Sequence, residues 1–168
     1  MLSGIRKLLG KSETSQSAPP WLRDLGETSI FVISATVSEG IDASTMTQEQ
    51  LLGEIRQALE RDRENQQKGN GLFHYLANNQ RRLPFFTSND HATKFCGEYS
   101  KQFNRVFPFM VLQTQGTFLG KLLPSSFDVV VMNDKSDDER VLSDEDISFA
   151  RRMWGNQTIS PRPGGQPI

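Results

Sequence analysis

Apolar residues along this chain come in short bursts, and the period of each burst predicts an element. SIFVIS at 29–34 is a β-branched and aromatic run and predicts a first strand. Before it, Pro19-Pro20-Trp21-Leu22-Arg23-Asp24-Leu25-Gly26 predicts a short helix. Proline suits its first turn, where the missing N–H has no partner, and Gly26 suits a left-handed C-terminal position. Thr47 and Gln50 form a capping box, followed by a narrow stripe of Leu51, Leu52, Ile55 and Leu59. That predicts a helix over 47–66 whose second half, ERDRENQQ, reads as a solvated face. LFHYLA at 72–77 reads as a strand or a helical turn, and the Asn78-Asn79-Gln80 turn favours a hairpin into a strand at 83–87. Pro84 there argues for an edge position or a strand entry.

Ser88 then caps a helix over 89–103, with Asp90 in its first turn and Ala92, Phe95, Cys96, Tyr99 and Phe103 on one face. The large apolar residues of 107–112 predict a strand. Phe118, Leu119, Leu122 and Leu123 predict a short helix over 117–123 that Pro124 stops. The run at 127–132 is apolar apart from Asp128, as in a strand buried on both faces. Ser143 caps a closing helix over 143–153, with Ile147, Ala150, Met153 and Trp154 as its apolar set. The elements predict an α/β domain, with α+β left open: a mixed sheet of about five strands with helices packed on it. It spans 19–154 and carries a charged helical insertion around 47–70. Residues 1–18 form an amphipathic segment and polar linker, and the Pro/Gly-rich stretch 155–168 is an expected disordered tail.

Composition narrows the function classes. At 168 residues one domain is expected. A net charge of −1 without a basic stripe argues against nucleic acid as a partner. The single cysteine, Cys96, excludes an intramolecular disulfide and makes a reducing, cytoplasmic setting the expectation. No apolar run approaches the ~18 residues of a membrane span. MLSGIRKLLGK is too short in its apolar part for a signal peptide. Its Leu2, Ile5, Leu8 and Leu9, beside Arg6, Lys7 and Lys11, suit docking on a partner, with a membrane surface as the less favoured alternative.

Catalytic patterns are scarce. The histidines are His74 and His91, and His91 lies five residues from Cys96, about 140° around one helix. Cys96 itself reads as core. Asp137-Asp138-Glu139 lacks the spaced oxygen ligands and glycine of a calcium loop. No phosphate-binding or nucleotide fingerprint is present. The expectation is therefore a non-enzymatic chain with no catalytic residue, metal site or cofactor.

The stretches LPFFTSNDHATKF, the 118–123 helix followed by FDVVVMN, and LSDEDISFA resemble the N-terminal domain of the bacterial enhanced-serine-sensitivity (SseB) family. SIFVIS fits that family's opening strand. The chain departs from the family in ending its strand on Asn133-Asp134-Lys135, where members carry Asn-Pro and a small residue, and in its longer 39–70 insertion. The resemblance implies a small α/β accessory or interaction module without enzyme activity. The candidate surface is the sheet edge or cleft near Phe85, Thr87, Asn133 and Asp134, with Ser88 at the adjoining helix N-terminus. Beside them lie Asp137, Asp138 and Glu139, part of a 134–146 segment with seven acids against Lys135 and Arg140. A protein partner or self-association is expected, with the acidic surface steering a basic partner. The alternative is a small anionic ligand, or weak catalysis, at the Thr87/Ser88 helix N-terminus.

Overall fold

The computed structural model of the protein describes residues 18–35, 40–67, 72–122 and 127–155. The N-terminal amphipathic segment and most of its linker, and the expected tail beyond Gly155, lie outside the described residues. In chain order the elements are α1 (Pro20–Glu27), β1 (Ser29–Ser34), α2 (Gln48–Gln67), β2 (Tyr75–Ala77), β3 (Gln80–Phe86), α3 (Asn89–Phe103), β4 (Met110–Gln115), α4 (Leu119–Leu122), β5 (Val129–Met132), β6 (Arg140–Val141) and α5 (Asp144–Trp154). The fold is α/β. Its mixed sheet has the order β4-β1-β3-β5-β6, with β2 also paired to β3. Among the described residues, β3 and β5 run parallel and the other pairs are antiparallel.

Alternation in the strands divides the core between two faces. Ile30, Val32, Leu83, Phe85 and Val130 meet Leu22 and Leu25 of α1, Leu119 of α4, and Ala150 and Trp154 of α5. Ile33 and Phe86 point the other way, against Ala92, Phe95 and Tyr99 of α3 and the loop residues Phe73 and Phe107. The sheet is thus sandwiched between helical layers. Phe85 and Phe86 are both fully buried, on opposite faces. Each contributes about 2 kcal/mol through removal from water.

Pro84 is not at an edge. β3 is the central strand, and its Arg82 pairs both with Tyr75 of β2 and with Val129 of β5. One side of β3 is divided between β2, which pairs at 80–82, and β1, which pairs at 85–86. The carbonyls of Arg81 and Phe85 face β5, accepting from Asp128 and Asn133. Pro84 therefore turns its missing N–H to the opposite side, where one partner strand has ended and the next begins. A central strand tolerates proline there because no ladder bond is lost.

Other boundaries move for identifiable reasons. The strand expected at 107–112 lies at 110–115. Phe107 is a buried plug, and a tight turn through Pro108 bonds the Phe109 N–H to the Phe107 carbonyl at 2.8 Å. The strand then runs on into polar Gln113-Thr114-Gln115 because it is an edge. The segment expected as a strand at 72–77 is split: Leu72 bridges Ser34, and only Tyr75–Ala77 pairs with β3. Asn78 and Asn79 close that hairpin with φ of 54° and 61°. β6 was not expected at all.

Gly26 lies inside α1 rather than ending it, and glycine is needed there for close packing, since a Cβ would sit 2.6 Å from the Trp154 ring. α2 follows its capping box, with Thr47 and Gln50 bonding reciprocally at 2.9 and 3.2 Å. Its buried face includes Ala58 and also Asp62, so the charged half is not wholly solvated, while Leu52 is exposed. In α5 Met153 is exposed and leaves the apolar set to Ile147, Ala150 and Trp154.

Candidate functional site

β3 and β5 end side by side, and two residues anticipated as site residues join their ends. Asn133 takes a left-handed conformation with φ of 51°, which asparagine tolerates better than most residues. Its N–H donates to the Phe85 carbonyl at 2.8 Å. Its Oδ1 accepts from the Thr87 N–H at 2.9 Å, and its Nδ2 donates to Thr87 Oγ1 at 3.0 Å. Its carbonyl accepts from Ser136 Oγ at 2.6 Å and from the Ser136 N–H at 3.1 Å. Asn133 is 3% exposed, so its hydrogen-bonding groups serve the corner itself.

The turn over 133–139 folds back on the α3 face of the sheet. Asp134, also 3% exposed, accepts a hydrogen bond from the Tyr75 hydroxyl at 2.5 Å. Arg82, paired with Tyr75 across β2 and β3, reaches Glu139 at 3.6 Å. Glu139 also accepts from the Lys135 N–H at 2.9 Å. The Lys135 ammonium lies 5.6 Å from the Phe95 ring centre and 5.7 Å from that of Tyr99, and donates to Gln102 at 2.8 Å. Burial pushes the Asp134 carboxyl above its ordinary range, against the opposing pull of the Tyr75 bond and Arg82. Burial and the neighbouring carboxylate push the Tyr75 hydroxyl up.

The eight anticipated residues thus separate. Phe85 is fully buried and offers no side-chain surface. Thr87, Asn133, Asp134 and Glu139 come together, but mainly to hold the corner and the turn. Ser88 caps α3, its Oγ accepting from the His91 N–H at 3.2 Å, so the cap occupies the group an anion would have shared. Asp137 and Asp138 remain exposed at the tip of the turn. The seven-acid segment does not form one surface. β6 carries the chain back along β5, so Asp144, Glu145 and Asp146 emerge at the far end, where Ser143 and Asp146 make a capping box. Tyr75, Arg82 and Lys135 were not anticipated. The pairing of Tyr75 with Arg82 follows from the Asn78-Asn79 turn, but their meeting with Asp134 and Glu139 depends on tertiary approach.

Cys96 packs against the α3-side core, and burial pushes its thiol up to about 12, as for a structural rather than a reactive cysteine. His74 is exposed, with its ring 5.3 Å from Phe127. Among the described residues, no group of three or more His, Cys, Asp or Glu could hold a metal ion, and no helix is long and apolar enough to cross a membrane. Comparison of the chain with protein-family models, with curated proteins and with solved structures finds no match.

Proposed function

We propose that the chain is a non-enzymatic protein-interaction module of the SseB N-terminal-domain type, which presents the Asp137-Asp138 turn to a basic partner. The observation that carries this reading is the contrast within one turn. Asn133, Asp134, Lys135 and Glu139 are all committed to internal contacts, while Asp137 and Asp138 stand exposed between them. A turn held at both ends loses little entropy on binding, and exposed charge on such a support favours steered association. The resemblance gains support from the Thr87–Asn133 contact. Thr87 lies in the first stretch that carries it and Asn133 closes the second, and the two side chains bond directly.

The test is affinity capture by the full chain at low salt, where charge contacts are least screened. Two variants serve as comparisons: Asp137→Lys with Asp138→Lys, and Asp144→Lys with Glu145→Lys at the other end of β6. The expected result is one protein enriched by the native chain, lost with the first variant and kept with the second. Enrichment that both variants retain, or no enrichment by the native chain, overturns the reading.

A further inference from the structure

We propose that two copies of this chain pair through β4, edge to edge and antiparallel about a two-fold axis at Gln113, extending the two sheets into one. β4 ends the sheet order, and its register with β1 runs unbroken from Ser34↔Met110 to Ser29↔Gln115. The Gly116 N–H donates to the Thr28 carbonyl at 2.8 Å. By alternation Met110, Leu112 and Thr114 turn their backbone groups toward β1, and Val111, Gln113 and Gln115 turn theirs outward. Those outward groups have no backbone partner among the described residues.

Edges of this kind are ordinarily blunted by a lysine, a proline, a bulge or shortness. β4 has none of these: it is six residues, MVLQTQ, regular and uncharged. Neutrality is what a second copy requires. Under two-fold symmetry a residue at the centre faces itself, and a charge there would face its like. With the axis at Gln113, Val111 faces Gln115 of the other copy, and all three outward residues find backbone partners. The opposite edge does not qualify, since β6 has two residues and one is Arg140. Long-range repulsion between copies is small, because the chain carries a net charge of only −1. Apolar surface adjoins the edge: Val111 and Leu112 are half-buried, and Phe103, against Phe107 in the run that leads into β4, is 49% exposed.

The test is the solution mass of the full chain by light scattering at about 100 µM, a hundredfold above a micromolar dissociation constant. The native protein is expected at twice 19.0 kDa. Gln113→Lys and Gln113→Glu, each placing like charges opposite one another, are expected at the monomer mass. An equimolar mixture of the two variants is expected to recover the dimer, because lysine then faces glutamate. A contact merely structural within one copy would show no such rescue. Gln113 is exposed, so both variants should retain the native circular dichroism. If either fails to, amide exchange of the native chain at Val111, Gln113 and Gln115 supplies the reading: slowing with concentration supports the pairing, and concentration independence overturns it. A monomeric native chain, dimeric single variants or a mixture that stays monomeric would each overturn it as well.

Discussion

Asn133 holds Thr87 by three hydrogen bonds, one to its backbone N–H and two to its hydroxyl, across 46 residues of sequence. The contact closes the parallel pair of β3 and β5 at its C-terminal end. Removing the asparagine leaves the Thr87 N–H without its acceptor and forces another residue into a left-handed conformation. Asn133→Ala is expected to cost about 3 kcal/mol, the unmet donor and the backbone penalty together. Thr87→Ala loses only the hydroxyl's two bonds, keeps the backbone one, and should cost about 1 kcal/mol. Urea midpoints at unchanged slope would show this order; equal costs would mean the backbone bond contributes little.

Asp134 sets a pH dependence whose sign is opposite to that of most carboxylates. Its folded-state pKa is raised, so between the ordinary value of 3.8 and the raised one the folded chain binds more proton than the unfolded. Its contribution to stability is therefore gained as pH falls through the raised pKa and lost as pH rises. The stability of the native chain relative to Asp134→Asn should increase on acidification across that window. A relative decrease would mean that Arg82 and Tyr75 outweigh burial.

Cys96 should be slow toward thiol reagents. With a pKa of about 12, only about one thiol in 10⁴ is ionised at pH 8. Labelling of the folded protein by an aromatic disulfide is expected to follow opening of α3 and to accelerate in urea. Immediate stoichiometric labelling in buffer would place the thiol in an open, polarised setting instead.

Two glycines should respond to alanine in opposite directions. A Cβ on Gly116 would lie 1.7 Å from the Leu25 carbonyl oxygen, a backbone atom that cannot swing aside. Gly116→Ala should lower stability by about 3 kcal/mol. Gly97, in α3, has open space around the added carbon, and Gly97→Ala should stabilise by about 1 kcal/mol through helix propensity. Thermal melts of the two variants on either side of the native one would bear this out.

The features legible in the sequence were those whose cause is local. Thr47, Ser88 and Ser143 each act within three residues of themselves, and all three caps form as expected. SIFVIS carries its strand in its own side chains. Asp134 and Glu139 looked like surface because nothing near them in sequence reveals Tyr75, 59 residues away, or Arg82. Asp62 was hidden by its charged neighbours in the same way. β4 was displaced because an exposed edge strand carries polar residues that resemble a loop, while the bulky plug at Phe107 resembles a strand. Pro84 misled for a related reason: the rule against proline in central strands assumes one neighbour along each side, and β3 has two on one side.

The Asn78-Asn79 hairpin governs the order in which this sheet can assemble. β2 and β3 meet across a two-residue turn, so their pairing closes almost no loop and can form in microseconds. β1 cannot meet β4 so cheaply: the Gln113–Ser29 bond between them spans 84 residues. β3 meets β5 only by closing a loop that holds α3, β4 and α4. A chain with so much of its sheet built from distant pairings belongs among the slower two-state folders, in milliseconds to seconds. Substitutions in the hairpin turn should then slow folding itself, whereas those at β4 should chiefly speed unfolding.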